Sequence, residues 1–446
     1  MKCLIMAGKK DSRQWSRNDN ALLAPLLGLP VLERIIRTTL EAGADEFYVS
    51  VDNPNGPVRG FLDGLSRRLD VPITLVTHED GAKNASPAVT IGKRFQKPFL
   101  LLRPDRIFDS AIARKLMQVS LRDGEAALAV DARIDDPAGA HPDDLLKTED
   151  DRVRNIGGGS KDFNGRDTGV WLCTPGAFDA LENDAGRQAR QTVWSQLAAA
   201  LCSQQRLQAV DVTGLDWAIL DGPGSSRQAE NILLARLRDK TNDGPVARRL
   251  NRPLSVRITR HLANYRISPN QISMFAFLCG ALAGGLFVCG GYPLLLLGGI
   301  LAQFASIIDG CDGEVARLKY QTSDYGGWFD AVLDRYADAF LLFGLLWHAY
   351  AEQPSGLVLW TGFMAVTGSF LLSYTADKYD SLMLRRLHDS NPFRLGRDSR
   401  VFLIFLGCLV NQAYWTLAVI ALLMNAETLR RIIICGSHEP RRIRQT

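Results

Sequence analysis

The chain has 446 residues, room for two or three domains, and a formal charge of only +4, too small to argue for nucleic acid as a partner. Its 8 cysteines form no C-x-x-C pair and its 6 histidines no ligand-spaced pair, so neither a disulfide framework nor a zinc site is expected. Met1 to Ala7, followed by Lys9 and Lys10, is too short an apolar stretch for a signal peptide, so the first half is expected in the cytoplasm.

Lys2 to Met6 is an apolar strand candidate that runs into Ala7-Gly8. Val31 to Ala42 reads as an amphipathic helix with Leu32, Ile35, Ile36 and Leu40 on one face. Further strands are expected at Glu46 to Val51, Ile73 to Val76, Phe99 to Leu102, Ala126 to Val130 and Gly169 to Cys173, with helical stretches between most of them. Such alternation predicts an α/β sheet domain over residues 1–240. Asp105 stands at a strand's carboxyl end, where an acid serves equally as a metal ligand or a loop cap. Arg13 and Arg17 read as a solvated basic loop, and His78 and Asp80, before Gly81, as turn residues.

After an apparent helix at Ala229 to Leu237, the chain breaks at Asp243-Gly244-Pro245. Arg248, Arg249, Arg252, Arg257, Arg260 and Arg266 then interleave with Val246, Leu250, Leu254, Ile258 and Leu262. Residues 241–268 are thus a basic amphipathic segment suited to the negatively charged cytoplasmic face of a bilayer. Six apolar segments follow, near Ile272 to Gly290, Pro293 to Ile308, Phe329 to Ala351, Leu357 to Ser373, Val401 to Asn411 and Trp415 to Met424. They predict an all-α membrane domain of six transmembrane helices over residues 269–446. Loops at Gly290 to Pro293, Glu352 to Gly356 and Asn411 to Ala413 carry no Lys or Arg, whereas Arg317 to Lys319, Lys378 to Arg400 and the tail after Arg430 are rich in them. The positive-inside bias puts both termini on the cytoplasmic side.

Residues 309–334 read D-G-C-D-G-E-V-A-R-L-K-Y-Q-T-S-D-Y-G-G-W-F-D-A-V-L-D. Asp309 and Asp312 share one helix face, and Asp330 and Asp334 share another, because three- and four-residue spacings return to the same side. Four clustered carboxylates at membrane depth need a positive partner, and a hard divalent cation is the economical one. Gly313, Ala316 and Gly326 leave room for a ligand against the backbone, and Arg317 offers a planar fork to phosphate oxygens. Pairing of the acids with Arg317, Lys319 and Arg335 is the plainer alternative.

Asp309, Asp312, Gly313, Ala316, Arg317, Gly326, Asp330 and Asp334 match the spacing D-x2-D-G-x2-A-R-x8-G-x3-D-x3-D, and the sequence here resembles the CDP-alcohol phosphotransferases. The resemblance implies transfer of a substituted phosphate from a CDP-alcohol to an acceptor hydroxyl with release of CMP. It implies Mg2+ or Mn2+ held by Asp309, Asp312, Asp330 and Asp334, with Asp334 also the general base. Asp312, Gly313, Ala316, Arg317 and Gly326 would seat the CDP moiety. Acceptor identity stays open between a lipid and an inositol phosphate, with Arg397 and Arg400 as candidate contacts to an acceptor phosphate among the arginines that also set topology. A homodimer within the lipid bilayer is what the family implies, and Gly280, Gly284 and Gly285 permit close helix packing.

The first half is similar to the nucleotidyltransferases that make nucleotide-sugars and CDP-inositol, which implies a Rossmann-like α/β fold. The likeness lies in Ala7-Gly8, in Gly28 to Ile36, in Leu100 to Asp109, and around Thr168 and Trp217. It implies that Asp105 and Asp221 occupy metal-ligand places. Lys9, Lys10, Asp11 and Ser12 replace the family's glycine-rich loop, Ala21 stands at its lysine, Ile219 at its first paired acid and Gly222 at a threonine. These departures predict a degenerate domain, with an active cytidylyltransferase that makes the CDP-alcohol from CTP as the alternative. The junction D-G-P-V-A-R-R-L-N-R-P-L-S resembles that of archaeal bifunctional inositol-phosphate enzymes. A third reading, a non-catalytic carrier or scaffold, would use the acids for ion passage.

Overall fold

A computed structural model describes residues 1–7, 19–51, 53, 55–77, 87–133, 144–157, 162–181, 193–220, 223–238, 244–376, 379 and 396–437. The chain divides into two compact units, Met1–Leu233 and Leu234–Thr446, with the division inside a helix at Pro223–Arg238.

The first unit is built on a nine-stranded mixed sheet. Its strands are β1 (Lys2–Met6), β2 (Glu46–Ser50), β3 (Ile73–Val76), β4 (Phe99–Leu102), β5 (Ala126–Asp131), β6 (Leu145–Glu149), β7 (Arg152–Ile156), β8 (Gly165–Cys173) and β9 (Leu207–Asp211), in the order β3-β2-β1-β4-β8-β5-β9-β7-β6. β1 runs parallel to β2 and β4, whereas β8 is antiparallel to β4 and β5. Every residue of β4 and β5 is buried, which is why both read as unbroken apolar runs. Helix α1 (Val31–Ala42) buries Leu32, Ile35 and Ile36 as its spacing requires, and ends on Gly43 in the left-handed conformation. Helix α2 (Val193–Ser203) brings Trp194 edge-on to Trp171 of β8, with ring centroids 5.1 Å apart.

All the expected strands form. The hairpin β6–β7 and strand β9 go beyond them. The hairpin turns on Asp150 and Asp151, both at positive φ, so its signal was an Asp-Asp pair instead of the usual Asn-Gly. β9 alternates polar and apolar residues too briefly to stand out (L-Q-A-V-D).

In the second unit a π-helical turn at Ala247–Asn251 leads into α4 (Arg252–Leu262), the helix Pro223–Arg238 being α3. Six helices follow among the described residues: α5 (Pro269–Val288), α6 (Tyr292–Leu318), α7 (Asp324–Glu352), α8 (Gly356–Tyr374), α9 (Arg397–Leu409) and α10 (Ala413–Ser437). Each apolar segment expected from sequence is helical. Among the described residues α5, α6 and α8 are long and apolar enough to cross a membrane. Large apolar side chains such as Leu278, Leu282, Phe343, Trp360 and Leu422 are exposed, the pattern of helices whose solvent is lipid. This half is a membrane domain.

Small residues set the spacing of α5 against α7. A Cβ on Gly284 would lie 2.4 Å from the Phe340 carbonyl oxygen, one on Gly344 2.3 Å from that of Gly284, and one on Gly280 3.3 Å from Ala337 Cβ. Gly280 and Gly284, expected from sequence as possible contacts between copies, are therefore used within the chain, while a Cβ on Gly285 would meet nothing. Gly284→Ala must push two backbones apart, and a loss of about 1–3 kcal/mol is expected in thermal unfolding in detergent, with Gly285→Ala near neutral.

Candidate active site

The second apolar helix does not stop at Ile308 but runs on to Leu318, and the third begins at Asp324, so all four signature aspartates lie inside helices. The two helices are joined by a short turn in which Tyr320 has positive φ and Lys319 Nζ donates to the Tyr265 carbonyl oxygen at 2.6 Å. Ser323 caps α7, its Oγ accepting from Gly326 N at 3.0 Å. Asp309, Asp312 and Ala316 then follow one face of α6, and Gly326, Asp330 and Asp334 one face of α7.

Asp309, Asp330 and Asp334 converge: one carboxylate oxygen from each lies within 4.8 Å of the others. Asp330 Oδ1 is buried and has no hydrogen-bond partner among the described residues. A buried, unpartnered oxygen beside two more acids fits a hard cation, which takes oxygen ligands and supplies the missing charge. Asp312 lies beside this trio and is held by α5, with Ser273 Oγ donating to its Oδ2 at 2.5 Å and Gly313 N to its Oδ1. A cavity of about 170 Å³ opens between α5, α6 and α7. Asp312, Gly313, Ala316, Arg317, Gly326 and Asp330 line it, so the structure collects in one hollow the residues that the signature assigns to the CDP moiety. Gly326 has little room for a side chain, since a Cβ there would lie 3.1 Å from Ser323 Oγ.

Two arginines at the start of α9 also meet the acids. Arg397 Nη1 lies 2.8 Å from Asp309 Oδ2 and 2.7 Å from Asp334 Oδ1. Arg400 is different. It is buried and engaged by Asp338 at 2.5 Å, by the Ser369 carbonyl oxygen at 2.9 Å and by Ser373 Oγ at 3.1 Å. The structure thus corrects its reading as an open phosphate contact: its fork is spent on holding Asp338 in place. Lys378, Arg385, Arg386 and Arg394 lie outside the described residues.

Two acids that motif reasoning missed belong to this region. Asp338 extends the Asp330–Asp334 ladder by one more turn, a spacing visible in the sequence. Glu314 is fully buried and ties α4 to α6, accepting from Arg252 Nη1 at 2.8 Å, Ser255 Oγ at 2.6 Å and Thr259 Oγ1 at 2.6 Å. Its partners form a polar stripe along α4, a stripe hidden among that segment's many arginines.

In the first unit Asp105 follows β4 as expected, but its carboxylate is met by protein cations. Arg103 Nε and Nη2 donate to its two oxygens at 3.2 and 2.9 Å, and Arg106 Nη1 lies 3.5 Å away. Burial pushes the Asp105 carboxyl up, yet the two guanidinium groups outweigh it and hold it below the ordinary carboxylate value. Asp221, Arg13, Arg17, His78, Asp80 and the Gly8–Ser12 loop lie outside the described residues.

Paired acids on adjoining membrane helices, joined in one chain to an α/β sheet half, define a membrane-bound transferase. Residues 266–426 match the CDP-alcohol phosphatidyltransferase family. A relative from Rubrobacter xylanophilus, named bifunctional IPC transferase and DIPP synthase, is 33% identical over 415 residues, covering 92% of this chain and 91% of its own. One of the same name from Aquifex aeolicus is 27% identical, with 97% of each chain covered. The solved inositol-1-phosphate CTP transferase of T. maritima aligns with 54% of this chain and 96% of its own at a TM-score of 0.42 and 16% identity. The chain belongs to the CDP-alcohol phosphatidyltransferase family and is a transferase.

Glu314 is the joint on which α4 depends. Glu314→Ala leaves Arg252 without its carboxylate and is expected to cost about 3–5 kcal/mol, seen as faster hydrogen exchange in Val256–Ala263, with Glu314→Gln milder.

Proposed function

We propose that the membrane half performs its transfer with Mg2+ or Mn2+ held by Asp309, Asp312 and Asp330, and with Asp334 as general base. The carrying observation is the convergence of Asp309, Asp330 and Asp334 on one spot beside the cavity. Asp312, Gly313, Ala316, Arg317 and Gly326 seat the CDP moiety of the donor. The acceptor hydroxyl gives its proton to Asp334 while its oxygen bonds to phosphorus; the bond from phosphorus to CMP breaks, and CMP leaves. A bound divalent cation supplies charge that stabilises the crowded phosphorus and the leaving CMP.

Arg397 is our candidate for an acceptor phosphate, because it meets Asp309 and Asp334, acids of the cluster that do not line the CDP cavity. An inositol phosphate fits the family as acceptor. The distribution of Lys and Arg supports six crossings with both termini and the site in the cytoplasm, and residues 1–240, 241–268 and 269–446 as the functional divisions. A homodimer in the bilayer completes the reading. The relatives' name favours one alternative, in which the first half also makes the CDP-alcohol from CTP.

The test is CMP release by the purified full-length protein over a panel of CDP-alcohols and acceptors, inositol phosphate included. Release is expected to need Mg2+ or Mn2+, to stop with EDTA, and to fall roughly 10²–10⁴-fold in Asp334→Asn. Undiminished release in that variant would sink the assignment of the base.

A further inference from the structure

In open α/β sheets ligands bind outside the carboxyl ends of the parallel strands. At that edge of the first unit, the segment after β4, the residue before β6 and the start of β8 bring together Asp105, Asp144 and Asp167, all buried. Three converging carboxylates would suit a divalent cation if their oxygens were available. Here the counter-charge is built into the chain. Arg103 grips both oxygens of Asp105, and its Nη1 also donates to Asp144 Oδ1 at 2.9 Å. Arg106 Nη2 donates to the same Asp144 oxygen at 2.7 Å. Asp167 Oδ1 accepts from Gly169 N at 2.6 Å and Trp171 Nε1 at 3.2 Å, and its Oδ2 lies 3.9 Å from Arg103.

The backbone is shaped around these arginines. Gly169 has φ +77°, and a Cβ there would lie 2.5 Å from Arg106 Cγ and 3.1 Å from Arg103 Cβ. To free Asp105 for a metal, two guanidinium groups that are themselves buried would have to lose their carboxylates with no water to receive them. The residues therefore do not fit a metal centre.

We infer that this edge is closed by an internal ion cage in place of a metal site, and that the first half carries out no metal-dependent cytidylyl transfer from CTP. The attack of an alcohol phosphate on the α-phosphorus of CTP, with pyrophosphate as leaving group, must then occur on another protein, and its product is the donor used here. This last clause rests on the transferase reading of the membrane half.

The test uses the purified full-length chain with Mn2+, CTP and inositol 1-phosphate as probes. No pyrophosphate release is expected, and the number of Mn2+ ions bound in the presence of CTP should be the same in wild type and Asp105→Asn. Asp105→Asn should instead lower the melting temperature of the first half, followed by tryptophan fluorescence, by about 6–20 °C, as breaking a buried ion pair in a domain of this size implies. Pyrophosphate release by the wild type, or loss of a bound Mn2+ in a folded Asp105→Asn protein, would overturn the inference. If that variant fails to fold, the wild-type pyrophosphate assay decides alone. CMP release from added CDP-alcohol reports separately on the membrane half, so its absence would count against the transferase reading and leave the cage untouched.

Discussion

Buried carboxylates must be neutralised, and this chain does so in two opposite ways. In the first unit Asp105, Asp144 and Asp167 face Arg103 and Arg106, and the acid left in excess, Asp167, takes hydrogen bonds from Gly169 N and Trp171 Nε1. In the membrane unit Asp309, Asp312, Asp330, Asp334 and Asp338 face three arginines, the half-buried Arg335 and Arg397 and the buried Arg400, and one oxygen of Asp330 is left with no partner among the described residues. The first cluster is closed and the second is short of positive charge. A charge deficit among buried acids is costly enough that it persists only where something external fills it, and this contrast is what favours the second cluster as the proposed reactive site.

The deficit is only useful if the acids hold their places, and packing around them supplies that. Glycine-to-backbone approach between α5 and α7, Ser273 on Asp312, Arg400 on Asp338 and the α4 clamp on Glu314 each fix one helix carrying or flanking the site. None of these contacts touches the proposed reacting atoms. They act as supports for ligands whose own rotamers would otherwise be free to spread apart under mutual repulsion.

How much of this was legible in the sequence depended on whether the signal was local. The helix Val31–Ala42 and the strands around Phe99 to Leu102 followed from periodicity, and the four aspartates with their glycines from fixed spacing along two helices. Arg400 and Glu314 were misjudged or missed because their partners lie far away in the chain, Asp338 and Ser369 for one, Ser255 and Thr259 for the other. One-dimensional patterns report which residues share a face. They do not report which face another helix will bring to them.

The same limit explains the two readings that Asp105 allowed. From sequence, an acid after a buried strand is as good a metal ligand as a loop cap, because nothing local shows where Asp144 and Asp167 will fall. Arg103 and Arg106 flank Asp105 in the sequence, but nothing local shows which way their side chains turn. Only the antiparallel pairing of β8 with β4, which brings Gly169 and Asp167 to the carboxyl end of β4, turns those arginines inward. Topology here converts a site that could have bound an ion into one that has already satisfied its charge, and it does so without changing the fold that carries it.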